Sequence, residues 1–116
     1  MANAKASVKN IPITARKARL VADLIRGRKV VEARDVLQVT LKRSAEPIRK
    51  LLDSAVANAE NAAAESHERI DTDEMVVETI MVNEGRTLHR IQPQSRGRAL
   101  RIRKRSSHVE LTITEK

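Results

Sequence analysis

Arg86-Thr-Leu-His-Arg-Ile-Gln-Pro-Gln-Ser-Arg-Gly-Arg-Ala-Leu-Arg-Ile-Arg-Lys-Arg105 carries eight cations and no acid, and the acid-free run extends from Glu84 to Glu110. The whole chain holds 23 Lys and Arg against 15 Asp and Glu, a net charge of +8, so this segment accounts for the entire excess. Its centre, Gln92-Pro-Gln-Ser-Arg-Gly97, has the residues of a chain reversal. Folding back there pairs 80–92 with 97–109 and predicts a β-hairpin arm, two strands of about 13 residues reaching roughly 40 Å at about 3.3 Å per residue.

Such an arm has almost no core of its own. Leu88, Ile91, Leu100 and Ile102 are its only large apolar residues, while Arg101, Arg103 and Arg105 recur at a spacing of two and Arg86 and Arg90 sit on the other strand. A two-stranded hairpin is marginal in water even without mutual repulsion. Concentrated like charge raises the energy of a compact state, so the pattern points to a polyanion that neutralises and orders the arm.

Outward from the arm, charge sorts into three blocks. Residues 1–50 hold 13 cations and 4 acids, residues 51–84 hold 1 and 9, and residues 85–116 hold 9 and 2. No Gly/Ser-rich linker or internal repeat separates them, so the blocks read as faces of one domain, 1–116, with 80–109 as the protruding arm. The chain has no Cys, which removes disulfide and thiolate chemistry and agrees with a reducing compartment. No apolar run is long enough for a signal peptide or a membrane span, and a cytoplasmic protein without membrane partners is expected. The absence of Phe, Tyr and Trp removes stacking platforms for bases. Nucleic-acid contact would then work through phosphate, sugar and shape.

The rest reads as α+β. Ala4–Ile11 suits a strand ended by Pro12. Thr14 is placed to cap a helix in which Leu20, Val21, Leu24 and Ile25 recur at helical spacing, with Gly27 at its end. Val31–Val39 suits a second helix with Ala33, Val36 and Leu37 inward. Ser44 is placed to cap a third, whose Ile48, Leu51, Leu52, Ala55, Val56 and Ala59 form a buried stripe, with Pro47 tolerated in the first turn. The Ala-rich run Ala55–Ala64 suits either close packing on a sheet or plain helix propensity. Met75–Val82 and the alternation of Val109, Leu111 and Ile113 suit strands.

Arg16, Lys17 and Arg19 crowd the start of the first helix with no acid before Asp23, against the helix macrodipole. An anion would turn that cost into a gain, so all three are expected to face a phosphate-bearing ligand. Arg26, Arg28 and Lys29 lie near the helix C-terminus, where the dipole favours them, and are weaker signals. Catalysis finds no footing. His67, His89 and His108 are scattered, three glycines build no phosphate loop, and no metal-ligand or triad spacing occurs. No catalytic residue, metal or cofactor is expected.

Arg16-Lys-Ala-Arg-Leu-Val-Ala-Asp-Leu-Ile-Arg-Gly27, Leu51-Leu-Asp-Ser-Ala-Val-Ala-Asn-Ala-Glu-Asn61, Val82-Asn-Glu-Gly85, Arg96-Gly-Arg-Ala99 and Arg103-Lys-Arg-Ser-Ser-His108 closely resemble the bacterial ribosomal protein L twenty-two family. The resemblance runs over nearly the full chain. It implies three helices packed on a three-stranded antiparallel sheet, with a long basic hairpin threading between domains of large-subunit ribosomal RNA. It further implies a monomer within the ribosome that assists assembly, touches neighbouring ribosomal proteins and meets the nascent polypeptide in the exit tunnel. Carried over to this sequence, the RNA-binding residues are Arg16, Lys17, Arg19, Arg86, Arg90, Arg96, Arg98, Arg101, Arg103, Lys104 and Arg105. The tunnel-lining tip is Ile91, Gln92, Pro93, Gln94, Ser95 and Arg96. Gln94 and His89 stand where family members commonly carry basic residues. A DNA-bending protein with basic β-arms is the physically independent alternative, and that class works as an intertwined dimer.

Overall fold

A computed structural model describes residues 3–67 and 69–115. In chain order the elements are β1 (Asn3–Ile11), α1 (Ala15–Ile25), α2 (Val30–Val39), α3 (Ala45–Ser66), a 3-10 turn (Thr72–Glu74), β2 (Val76–Glu84), β3 (Leu88–Pro93), β4 (Ala99–Lys104) and β5 (Ser107–Thr114). Strands β1, β5 and β2 form an antiparallel sheet in that order, and β3 and β4 form a separate two-stranded ribbon. The α+β reading, three helices on a three-stranded sheet, describes the molecule.

The last strand is central because it alternates most cleanly. Val109, Leu111 and Ile113 are essentially inaccessible and face the helices. β1 pairs with β5 from Asn3↔Thr114 to Val8↔Val109, and β2 pairs with its other edge from Val76↔Thr114 to Glu84↔Ser107. α3 lies over β1 and β5 with Ile48, Leu52 and Ala55 fully buried. Each large side chain so placed contributes about 1.5–3 kcal/mol. Both readings of the alanine run hold in part. Ala55, Ala59 and Ala63 let the helix approach the sheet closely enough for the Asn58 amide to donate to the Lys5 carbonyl at 2.9 Å, whereas Ala57, Ala62 and Ala64 are exposed and serve propensity alone.

β2 is an edge strand, and α1 with its following turn closes that edge. The Gly27 N–H donates to the Val77 carbonyl at 3.0 Å, and the Val77 N–H donates to Arg28 at 2.9 Å. The Arg26 guanidinium donates to the Ile80 carbonyl at 2.9 Å. Gly27 takes a φ of +79°, as its place after the helix requires. An edge covered in this way offers no template for another strand.

Several expectations need correction. Leu20 and Leu24 follow helical spacing yet are 53% and 41% exposed, because Ala15, Ala18, Val21, Ala22 and Ile25 form the inward face of α1. Ser44 occupies the cap position of α3 without a capping bond, since its backbone is itself helical. The hairpin register also differs from 80–92 against 97–109. Ile80 faces Leu111 and Pro93 faces Ala99, so the reversal centres on Ser95-Arg96-Gly97. Arg96 and Gly97 take the two consecutive left-handed conformations the turn needs, with φ of 63° and 71°. Gln94 and Arg98 close it through a 2.6 Å hydrogen bond. Finally, Ile80, Val82 and Val109 belong to the buried sheet, so the free ribbon begins only beyond Glu84.

Candidate nucleic-acid interface

The ribbon is joined to the body through a tight root. The Gly85 N–H donates to the Ser106 carbonyl at 2.9 Å, and the Ser106 hydroxyl donates to the Arg86 carbonyl at 2.7 Å. A Cβ on Gly85 would lie 2.8 Å from Ser106 Oγ and 3.0 Å from His108 Cε1, so any larger residue would push the Ser106 hydroxyl or the His108 ring out of its hydrogen bond. His108 is also engaged on its other side. Its Nδ1 accepts from the Asn10 N–H at 3.1 Å, steadying a β1 bulge in which Asn10 is left-handed. The root therefore sets the direction of the arm, and the molecule extends 67 Å along its longest axis against 27 and 16 Å across.

Beyond the root, directly opposed residues share a face. His89, Ile91 and Pro93 stand with Arg103, Arg101 and Ala99, and Leu88, Arg90 and Gln92 stand with Lys104, Ile102 and Leu100. Both faces are thus cationic and neither is a core. Every residue of β3 and β4 is exposed except the half-buried Ile102. Arg105 lies past the end of β4 and not on its pleat, Arg86 lies in the root link, and Arg96 and Arg98 sit at the turn. Among the described residues none of these cations joins an ion pair; the pairs present involve Arg26, Lys29, Arg34, Arg49 and Lys50. A row of uncompensated guanidinium groups is suited to phosphate.

The start of α1 comes to the same root, which the sequence did not require. Arg16, Arg19, Arg103 and Arg105 line a groove of about 460 Å³ together with Glu84, Thr87 and His89. On the other side of α1, Lys17, Leu20, Lys42, Arg43, Ser44, Lys104 and Arg105 line one of about 720 Å³. Arg105 borders both. Lys42 and Arg43 escaped the sequence reading; the signal available was two adjacent cations directly before a helix cap.

Arg19 departs from expectation. Its Nε and Nη2 donate to the Val82 carbonyl at 3.1 and 2.9 Å, so its fork ties α1 to the edge of β2. Among the described residues Arg16 and Lys17 make no side-chain bond of this kind. Thr14 caps the helix weakly, its Oγ1 accepting from the Lys17 N–H at 3.4 Å. Among the described residues no group of His, Asp or Glu is arranged to hold a metal ion.

The profile of the family described as ribosomal protein L22p/L17e matches residues 6–114. The chain is also similar to the large ribosomal subunit protein uL22 of two Desulfitobacterium hafniense strains, Y51 and DSM 10664 / DCB-2. Each is 47% identical over 116 residues, covering 100% of this chain and 97% of the relative. A basic hairpin without a core, a cationic root and a match across almost every residue agree: the chain belongs to the ribosomal protein L22p/L17e family.

Proposed function

We propose that this chain works as a single structural unit of the large ribosomal subunit in the cytoplasm, holding ribosomal RNA by inserting its arm between RNA segments. Membership of a ribosomal protein family makes it a structural component and not an enzyme. The observation that carries the reading is the ribbon beyond Glu84: exposed on both faces, cationic on both faces, and without an acid to pair with. Phosphates on either side would neutralise the charge and supply the order that a bare ribbon lacks.

In this reading Arg86, Arg90, Arg98, Arg101, Arg103, Lys104 and Arg105 bridge several RNA domains and assist their assembly, and Arg16 and Lys17 engage RNA beside the root. Ile91 to Arg96, at and just before the turn, line the wall of the peptide exit tunnel and meet the nascent polypeptide. The body sits as a monomer among neighbouring ribosomal proteins. Sparse charge supports a separate role for the tip: between Arg90 and Arg96 the arm has no cation, whereas Ala99–Lys104 has three.

The test compares two variants with the wild type for affinity to a large-subunit ribosomal RNA fragment over a salt series. Changing Arg98, Arg101, Arg103 and Arg105 to Gln should lower the slope of log affinity against log salt by roughly 3 to 4, at about 0.7–0.9 per phosphate. Deleting Gln92, Pro93, Ala99 and Leu100 removes two rungs, keeps every cation and retracts the tip by about 7 Å. That variant should keep the slope and change the passage of arrest-prone nascent chains. Equal loss of affinity in both variants would refute the division between anchor and tip.

A further inference from the structure

We infer that the groove between the free edge of β1 and the first turns of α3 is a docking site for an extended polypeptide, a segment of a neighbouring ribosomal protein that pairs with β1 and carries acidic residues among apolar ones. The inference rests on the placement of the body among neighbouring ribosomal proteins and adds the surface and the mode of one such contact.

The sheet has two edges, and the fold closes one of them. On β2 the outward groups of Val77, Ile80 and Val82 are taken by Gly27, Arg28, Arg26 and Arg19. The same alternation fixes the direction of β1. Val82 turns outward opposite Val109, and Val109 stands opposite Val8, so Val8 bonds to β5 while its neighbours Ser7 and Lys9 direct their N–H and C=O to the free side. The Lys5 carbonyl agrees with this parity, since it accepts from the Asn58 amide. Among the described residues Ser7 and Lys9 have no such substitute partner. An edge with paired donors and acceptors is matched by an extended main chain, which supplies both at the same spacing, whereas phosphate supplies acceptors alone.

The groove beside this edge has a volume of about 630 Å³. Ser7 to Ile11 form one wall, roughly 16 Å long at about 3.3 Å per residue, and Glu46, Pro47, Lys50 and Ser54 of α3 form the other. Val8, Ile11 and Leu51 supply apolar surface between the walls, where alternate side chains of a paired strand find burial. Lys9, Arg43 and Lys50 stand against one acid, Glu46, which lies 3.6 Å from Lys50. Among the described residues Lys9 and Arg43 join no ion pair, so three cations against one acid leave an excess of two for acids on the occupant. Beyond Val8 the bulge with left-handed Asn10 turns β1 aside, which ends the pairing and limits it to a short segment.

The experiment uses the full chain, free and within purified large subunits. Amide exchange at Ser7 and Lys9 should be close to that of an unstructured chain in the free protein and slower by roughly 100-fold or more in the subunit. A photo-crosslinking benzoylphenylalanine in place of Ser54 should join one segment of a neighbouring ribosomal protein, identified by mass spectrometry. Lys9→Glu with Lys50→Glu should lower the yield of that cross-link about two- to thirtyfold, with the melting temperature of the free protein within about 2 °C of wild type. The charge-preserving pair Lys9→Arg with Lys50→Arg should retain the yield. Cross-links to RNA alone, or amides at Ser7 and Lys9 that stay fast in the subunit, would overturn the docking site and leave the arm reading standing. An unchanged yield in the charge-reversed variant would overturn the acidic character of the segment. Failure of the wild-type chain to sediment with large subunits would overturn the site together with the placement beneath it.

Discussion

Replacing Arg19 by Met separates an arginine tied into the fold from Arg16 and Lys17 within a turn of it, the two cations of α1 that the proposed function assigns to RNA. Met keeps an apolar stem and removes both donors to the Val82 carbonyl, at 3.1 and 2.9 Å. Hydrogen bonds from a charged group contribute about 1.5–3 kcal/mol, and water can partly replace this part-buried one once the guanidinium is gone, so the expected loss is about 1–2 kcal/mol. With unfolding entropy near 2.1 cal/mol/K per residue, a chain of this size melts about 4 °C lower for each kcal/mol, a fall of roughly 4–8 °C. Arg16→Gln with Lys17→Gln should move the other way. Each removes a cation from the positive end of α1 and contributes about 0.3–1 kcal/mol, raising the melting temperature by roughly 2–8 °C. Thermal unfolding of the free protein, followed by circular dichroism at low salt, reads both. The reasoning fails if Arg19→Met melts within 1 °C of the wild type, or if the Arg16/Lys17 double variant is the less stable one.

Gly85→Ala should destabilise by about 1–3 kcal/mol, because its Cβ would fall 2.8 Å from Ser106 Oγ and 3.0 Å from the His108 ring; urea unfolding measures it, and an unchanged midpoint would show the root to be loose. Ser107 is wholly buried and among the described residues its hydroxyl has no partner, so Ser107→Ala should raise stability by about 1 kcal/mol in the same assay. A loss there would reveal a partner for the hydroxyl. Leu20→Gln should leave the melting temperature within about 2 °C of wild type, since this residue is half exposed despite its helical spacing.

The sequence disclosed most where one physical signal dominated. Strict alternation placed β5, the apolar stripe placed α3, and an acid-free run of arginines marked the arm. It misled where two signals competed. Helical spacing grouped Leu20 and Leu24 with the core, but small alanines on the adjacent face let α1 lie close to β2, and the leucines were turned outward. The turn was read over the six residues 92–97, and the backbone places its consecutive left-handed residues at the end of that stretch, Arg96 and Gly97. The double role of α1's cations depended on tertiary contact: nothing local distinguishes Arg19 from Arg16, and only the open edge of β2 engages one of them. Lys42 and Arg43 were hidden for the same reason, since their partners in the groove come from sequence positions far away.

The central claim is that RNA orders the arm by neutralising it. Amide hydrogen exchange of Leu88–Pro93 and Ala99–Lys104, measured on the free protein and on its complex with a large-subunit ribosomal RNA fragment, tests this most directly. Exchange in the free arm close to that of an unstructured chain, beside well-protected β5 amides, and strong protection of the arm in the complex are predicted. Strong protection of the arm without RNA, or none with it, would contradict the account.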